Sequence, residues 1–208
     1  MTSKDDTAAR IATYAASLFE RRGISAVTMD DIAVGLGISK KTLYQHFDSK
    51  ETLARAALDL TFHEIGQELS AARKDAAGDF SAWLRGHVWV VAGRYGRLQT
   101  SLLIDLSRNQ PGLYDHYLAL SQQTIERHFA ALVREGVRVG ELRRDLDLRV
   151  IISALITLSQ HISRPETLAN LRMSPREAFE SIIDLLLDGL RTRPAPRTTR
   201  RRRASATR

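Results

Sequence analysis

The sequence predicts an all-α protein, built from an N-terminal three-helix helix-turn-helix domain and a C-terminal helical body. Apolar residues recur at spacings of three and four along most of the chain, which places them on one face of a helix. Capping residues stand where these patterns begin, and glycines stand where several of them end. No stretch alternates apolar and polar residues in the manner of a half-buried strand.

The first helix is predicted to end at Gly23. Arg21 and Arg22 lie in its last turn, where cations interact favourably with the helix dipole, and glycine commonly caps a helix C-terminus. The apolar stripe of this helix consists of Ala8, Ile11, Ala12, Ala15, Leu18 and Phe19.

Two short helices follow, separated by a tight turn. One begins after Thr28, which precedes Asp31 by the spacing of a capping box, and it ends at Gly37. The next is capped by Ser39 and is predicted over residues 40–47. Two short helices joined by a glycine-containing turn predict a helix-turn-helix.

The rest of the chain divides into a helical body and a tail. The predicted domains are residues 1–52 for the helix-turn-helix, 53–191 for the body and 192–208 for a disordered tail. The helices predicted after the helix-turn-helix cover residues 49–73, 80–95, 97–108, 112–136, 146–162 and 175–190.

The formal net charge of +7 is concentrated in the tail. Residues 192–208 contain seven arginines and no acid, so basic and acidic residues are equal in number over the rest of the chain. One interpretation is a solvated disordered tail, because the segment has almost nothing to bury. The other is a flexible polybasic arm that adds non-specific DNA affinity by releasing counterions.

The composition favours a cytoplasmic protein. The sequence has no cysteine, which excludes disulfides and thiolate chemistry and fits a reducing compartment. It also has no apolar run long enough to span a membrane, and its first residues are polar and unlike a signal peptide.

Residues 8–58 resemble the DNA-binding domain of TetR-family transcriptional regulators. The resemblance rests on residue types in a fixed order and spacing, namely Phe19, Gly23, Thr28, Ile32, Ala33, Gly37, Ile38, Ser39, Leu43, Tyr44, His46, Phe47, Lys50 and Leu53. The remainder is similar to the family only in length and helical layout. The resemblance implies a repressor, with activation as the alternative, whose body dimerises and binds a small-molecule effector.

The predicted DNA contacts lie on and around the third helix. Leu43 and Phe47 are four residues apart and are expected to pack inward, which leaves the other side chains facing outward. Lys41, Thr42 and Gln45 carry groups that suit the edges of guanine, thymine and adenine. The full predicted set is Thr28, Ser39, Lys40, Lys41, Thr42, Tyr44, Gln45, His46 and Lys50.

Phosphate contacts are predicted for residues at either side of the outward face of the third helix. Tyr44, His46 and Lys50 match the usual arrangement of the family, and the helix N-termini after Thr28 and at Lys50 suit an anion. Three of the five lysines fall in residues 40–50. The alternative is an ordinary solvated polar face.

The predicted body contains a dimer interface and an effector pocket. Residues 146–162 and 175–190 are apolar on more than one side, so they need two neighbours, supplied by a second subunit or by the same chain. Arg94 and Arg97 could contact an anionic effector, although surface salt bridges are commoner. The candidate pocket residues combine apolar bodies with polar tips and are Phe62, His63, Trp83, His87, Tyr95, Tyr114 and Tyr117.

An enzyme is disfavoured, and no cofactor is expected. The sequence has no glycine-rich phosphate loop, no nucleophile elbow, no His-Glu-x-x-His and no histidine pair at metal-ligand spacing, so no catalytic or metal site is predicted. The predicted partners are operator DNA, a second copy of the chain and an effector. An architectural protein that binds DNA through its arginine tail is the alternative from another class, and it would bind random DNA and operator DNA almost equally.

Overall fold

The computed structural model describes residues 4–97, 100–145, 147–162 and 164–191. Within these ranges the chain is helical apart from turns and one isolated antiparallel pairing, between Leu142 and Arg191, so the predicted all-α fold is confirmed. A single π-helical turn, Ile125–Phe129, separates α7 from α8. The α-helices are α1 Lys4–Arg22, α2 Met29–Leu36, α3 Lys40–Tyr44, α4 Lys50–Asp75, α5 Phe80–Arg97, α6 Thr100–Asn109, α7 Pro111–Thr124, α8 Ala130–Val139, α9 Leu148–Ile162, α10 Pro165–Leu171 and α11 Pro175–Leu190.

Two helix predictions in the body need correction, and one helix was missed. Arg97, where the helix over residues 97–108 was predicted to begin, belongs to α5, and the helix predicted over 112–136 consists of α7, the π-helical turn and α8. Helix α10 was not predicted, because its seven residues are too few to display a helical stripe. The arginine-rich tail, residues 192–208, lies outside the described residues.

Helix α3 is shorter than predicted. It ends at Tyr44, although the N–H groups of His46 and Phe47 still donate to the Leu43 carbonyl at 3.1 and 3.0 Å. The N–H of His46 donates to a carbonyl three residues earlier instead of four, so the last turn is tighter than an α-helix and the α-helical pattern ends at Tyr44. Ser49 then begins α4, because its backbone is extended and its hydroxyl accepts from the N–H of Thr52 as the N-cap. The chain must therefore leave the helical conformation before residue 49.

Two apolar cores hold the helices together. The first joins α1–α3, hereafter the reading head, to α4, α6 and α7, and its fully buried side chains include Ile32, Leu43 and Leu103. The second joins α5, α8, α9 and α11 around Leu132 and Phe179. The first core therefore packs α4 and α6 directly against the reading head.

Candidate nucleic-acid interface and internal cavity

Gly37 and Ser39 determine the turn between α2 and α3. Gly37 has φ of 64° and caps α2 by donating its N–H to the carbonyls of Ala33 and Val34. A left-handed φ of this kind favours glycine at the end of a helix. Two residues later, the hydroxyl of Ser39 accepts from the N–H of Thr42 at 3.0 Å and caps α3. The local sequence thus positions α3 against α2.

Thr28 and Asp31 form a capping box at the start of α2. The N–H and hydroxyl of Thr28 donate to the Asp31 carboxylate at 2.9 and 2.8 Å, and the Asp31 N–H donates back to the hydroxyl at 3.1 Å. Donation from the backbone and side chain of Thr28 lowers the pKa of the Asp31 carboxyl. In this structure Thr28 is engaged within the protein, and its phosphate contact stays a prediction.

The inward face of α3 is confirmed. Leu43 is fully buried and Phe47 is buried, and both belong to the same core as Phe19 and Ile32. This packing determines which side chains of α3 face away from the protein.

Three side chains of the outward face remain available to a ligand. Lys41, Tyr44 and Gln45 are exposed, and within the described part of the chain their side chains make no hydrogen bond or ion pair. Lysine, tyrosine and glutamine side chains together offer donors and an acceptor suited to base edges and phosphates.

The other predicted contacts on α3 are partly engaged within the protein. Lys40 forms an ion pair with Asp30 at 2.5 Å, and both side chains are exposed. The hydroxyls of Ser39 and Thr42 share a hydrogen bond of 2.8 Å. His46 is half-buried beside the exposed face.

Lys50 holds the loop between α1 and α2, residues 23–28. Its Nζ donates to the carbonyl oxygens of Ile24 at 3.0 Å, Val27 at 2.9 Å and Ser25 at 3.5 Å. These three acceptors match the three donors of an ammonium group. The structure gives Lys50 a positioning role that the sequence did not predict, and its direct contact with phosphate stays a prediction.

Asp105 of α6 holds the same loop from the other side. Its carboxylate is buried and accepts from the N–H of Ser25 at 2.7 Å and from Nδ2 of Asn109 at 2.8 Å. Burial raises the pKa of the Asp105 carboxyl, but these hydrogen bonds outweigh burial and the net change is downward. Gly23, with φ of 77°, passes so close that a Cβ there would lie 3.3 Å from a carboxylate oxygen. The loop is thus held from two sides. Lys50 of α4 binds carbonyl oxygens of the loop, and Asp105 of α6 binds one of its N–H groups.

An internal cavity of about 120 Å³ lies between the two cores. Aliphatic and aromatic side chains dominate its lining. It extends from Phe19 and Ile24 at the reading head, past Leu102 of α6, to Phe179 and Leu187 of α11. Its wall therefore includes the α1–α2 loop and the helix that carries Asp105.

Two basic side chains line this cavity, and their charge states differ. Burial, with a smaller contribution from His128, lowers the pKa of His87 to about 4, so this imidazole is neutral at pH 7. Arg94 forms ion pairs with Glu68 and, at 3.5 Å, with Glu64. Its Nε is buried and has no hydrogen-bond partner among the described residues.

Protein stability is expected to fall by about 2 kcal/mol between pH 7 and pH 5 because of His87. The unfolded imidazole has a pKa near 6.5 and binds a proton in this range, whereas the folded one, with a pKa of about 4, does not. Stability is therefore complete above about pH 6.5 and is lost as the pH falls towards 4. Urea unfolding at several pH values measures the slope.

The matched variant is His87→Gln, which keeps a polar side chain that does not titrate. It should remove most of the slope; the rest comes from His128, whose pKa is lowered by burial and by Arg127. A wild-type stability that stays flat between pH 7 and pH 5 would contradict a neutral, buried His87.

Three of the seven predicted pocket residues line the cavity. They are Phe62, His87 and Tyr117, from α4, α5 and α7. The rings of Phe62 and Tyr117 meet edge to face at 5.6 Å, and Tyr114 stacks on Tyr117 from outside the cavity at 6.3 Å. A role of these side chains in ligand binding stays a prediction.

The structure places the remaining candidates elsewhere. Trp83 is buried in the second core, with the guanidinium of Arg73 5.0 Å from its ring centroid. His63 shares a hydrogen bond of 3.0 Å with Gln67 and borders a surface groove instead of the cavity. The side chain of Tyr95 lies outside the described residues.

Comparisons with known proteins point to one family. Residues 11–57 match the model of the bacterial regulatory proteins of the tetR family. The HTH-type transcriptional repressor KstR2 of Rhodococcus jostii is 28% identical over 152 residues, which cover 65% of this chain and 68% of that protein. The HTH-type transcriptional regulator YvaF of Bacillus subtilis is 24% identical over 186 residues, 87% of this chain and 94% of that protein. These comparisons support a TetR-family transcriptional regulator.

Solved TetR-family structures share the fold of the chain. A transcriptional regulator from Agrobacterium tumefaciens superposes with a TM-score of 0.67 at 16% identity, covering 91% of this chain and all of the other. One from Cytophaga hutchinsonii gives a TM-score of 0.65 at 18% identity, covering 93% and 99%. The TetR-family match makes this chain a DNA-binding transcriptional regulator.

All nine predicted DNA contacts lie inside the segment that matches the TetR family. Among the described residues, no helix is long and apolar enough to cross a bilayer, and no group of three or more acidic, histidine or cysteine side chains is placed to hold a metal.

Asp105 was not among the predicted site residues, although the sequence contains a signal for it. Asp105 stands between Leu102, Leu103 and Leu106, which are all buried. A carboxylate in such a run indicates a buried group with defined hydrogen-bond partners. Its partner, the N–H of Ser25, is 80 residues distant and could not be read from the pattern.

Proposed function

We propose that this chain is a repressor that binds a palindromic operator as a homodimer and releases it when a small molecule enters the internal cavity. The observation that carries the proposal is the face of α3, where Lys41, Tyr44 and Gln45 are exposed and unpartnered while Leu43 is buried behind them. A short helix held by its buried face, with polar side chains outward, suits insertion into a major groove.

A two-fold dimer would place two copies of α3 in successive major grooves, about one helical turn apart. The operator is therefore expected to be an approximate palindrome. Val150 on α9 and Leu185 on α11 support the dimer, because 67% and 73% of their surfaces are exposed in the single chain. A second copy that packs α9 and α11 against the same helices would cover both.

The loop between α1 and α2 offers a route from effector to DNA. Leu102 lines the cavity, and Asp105, on the same helix, holds Ser25 of the loop. A ligand that displaces α6 would move the loop, and with it α2 and α3, away from the geometry that fits the operator. Coupling free energies of this kind are typically about 1–3 kcal/mol.

Replacing Tyr44 by alanine is expected to weaken binding to every DNA sequence by about tenfold, because a hydrogen bond to a phosphate is lost. Lys41→Ala and Gln45→Ala are expected to change the preference among sequences instead, because these side chains face the base edges. The experiment titrates the full chain against the DNA flanking its own gene and against random duplex, at two salt concentrations.

Lys74→Ala is the matched control, since this exposed lysine lies at the far end of α4. It should leave the affinity unchanged. Equal, salt-sensitive binding to both DNAs that Tyr44→Ala does not alter would place DNA binding in the arginine-rich tail and would overturn the proposal.

A further inference from the structure

We propose that the internal cavity binds an uncharged, mostly apolar molecule with one hydrogen-bond acceptor oxygen, such as a ketone, which accepts from Nε of Arg94. The inference rests on the proposed effector function and adds to it the chemical class of the effector.

The lining of the cavity selects an apolar body. Of its polar side chains, Thr61 and Thr124 already donate their hydroxyl groups to the carbonyls of Ala57 and Leu120, at 2.9 Å each. Apolar cavities of similar volume stay dry and bind small hydrocarbon rings. A larger molecule would have to separate the helices that line the wall, which include α6.

Nε of Arg94 supplies the point of polar recognition. This atom is buried without a hydrogen-bond partner among the described residues, and the side chain that carries it lines the cavity. A buried donor without an acceptor costs free energy, which a ligand oxygen at this point would recover. The donor selects an acceptor and disfavours a second donor.

The charges around Arg94 disfavour an ionised ligand. Its guanidinium already pairs with Glu64 and Glu68, so the cluster carries one more negative charge than positive. A carboxylate ligand would add another negative charge, and His87, which is neutral at pH 7, does not compensate for it. An ammonium ligand would present donors to a donor, so an uncharged acceptor satisfies the site best.

Four probes test the proposal; they share a six-membered carbon ring and differ only in the group attached to it. The probes are cyclohexanone, methylenecyclohexane, cyclohexanecarboxylate and cyclohexylamine. Each is titrated against the full chain without DNA at neutral pH, and the shift in Tm gives the relative affinity. Cyclohexanone is expected to raise Tm most. Methylenecyclohexane, which replaces the oxygen by a carbon, should bind about fivefold more weakly, as expected for the loss of one hydrogen bond.

Arg94→Lys is the matched variant, because an ammonium retains the charge facing Glu64 and Glu68 but lacks Nε. It should remove the difference between the ketone and the alkene and leave alkene binding unchanged. If this variant does not fold, the four probes on the wild-type protein still decide between the charge classes.

Tightest binding by the carboxylate or the amine, or no shift with any probe, would overturn the inference. Operator titration on the same samples separates it from the proposed function. Intact operator binding with no probe bound contradicts only the ligand class, whereas probe binding in a protein that does not select its operator contradicts only the regulator.

Discussion

Replacing Asp105 by alanine is expected to lower the free energy of unfolding by about 2–3 kcal/mol and to weaken operator binding by about tenfold. The carboxylate is buried and accepts from the N–H of Ser25 at 2.7 Å, so its removal leaves a partly buried backbone donor without its partner. The loop between α1 and α2 would then be held mainly by Lys50, through the carbonyls of Ile24 and Val27. A reading head held on one side samples more orientations, so a smaller fraction of them fits the operator.

One further substitution separates the shape of the Asp105 carboxylate from its charge, and another serves as a surface control. Asp105→Asn keeps an acceptor oxygen of similar size and should lose less stability than the alanine variant. Asp115→Ala removes an exposed acid of α7 and should change neither stability nor operator affinity measurably. Urea unfolding gives the stability, and operator titration at a temperature where every variant is folded gives the affinity.

If the Asp105→Ala variant loses stability but keeps its operator affinity, Asp105 does not position the loop between α1 and α2 for DNA binding. Asp105 would then be an ordinary buried acid of α6, and the route from the cavity to the reading head would not pass through its contact with Ser25.

The sequence was sufficient to predict the reading head because its signals are local. Each of its turns and caps rests on residues within a few positions of one another, such as Gly37 and Ser39, and the Thr28 side chain with Asp31 three residues later. The exception is the length of α3, whose last turn tightens so that the N–H of His46 donates to the carbonyl of Leu43.

The cavity and the contacts that hold the loop between α1 and α2 could not be predicted in the same way. They depend on contacts such as Asp105 with Ser25 and Arg94 with Glu64, which join helices distant in sequence. Aromatic residues of α4, α5 and α7 were reasonable candidates for a pocket, yet only packing decides that Tyr117 lines the cavity while Tyr114 stacks behind it. Periodicity identifies the buried face of a helix but does not identify its partner.

Replacing Leu185 by glutamate is expected to destabilise the proposed dimer by about 3–5 kcal/mol, because the interface would have to bury an unpaired charge. Leu185 lies on the outer side of α11, opposite Ile183 and Leu187, which face the second core. In a two-fold interface the substitution occurs twice. Sedimentation at micromolar concentration should therefore change from dimer to monomer, and operator affinity should fall because each monomer carries one reading head.

Val34→Glu is the control for the change of oligomeric state. Val34 is also an exposed apolar side chain, 80% accessible, but it lies on α2 in the reading head. The substitution should leave the protein dimeric, because an exposed charge there is not removed from water. If both variants sediment as dimers, or if the wild-type chain is itself a monomer at this concentration, α9 and α11 do not form the interface. The apolar surface around Val150 and Leu185 would then need another explanation than a second copy of this chain.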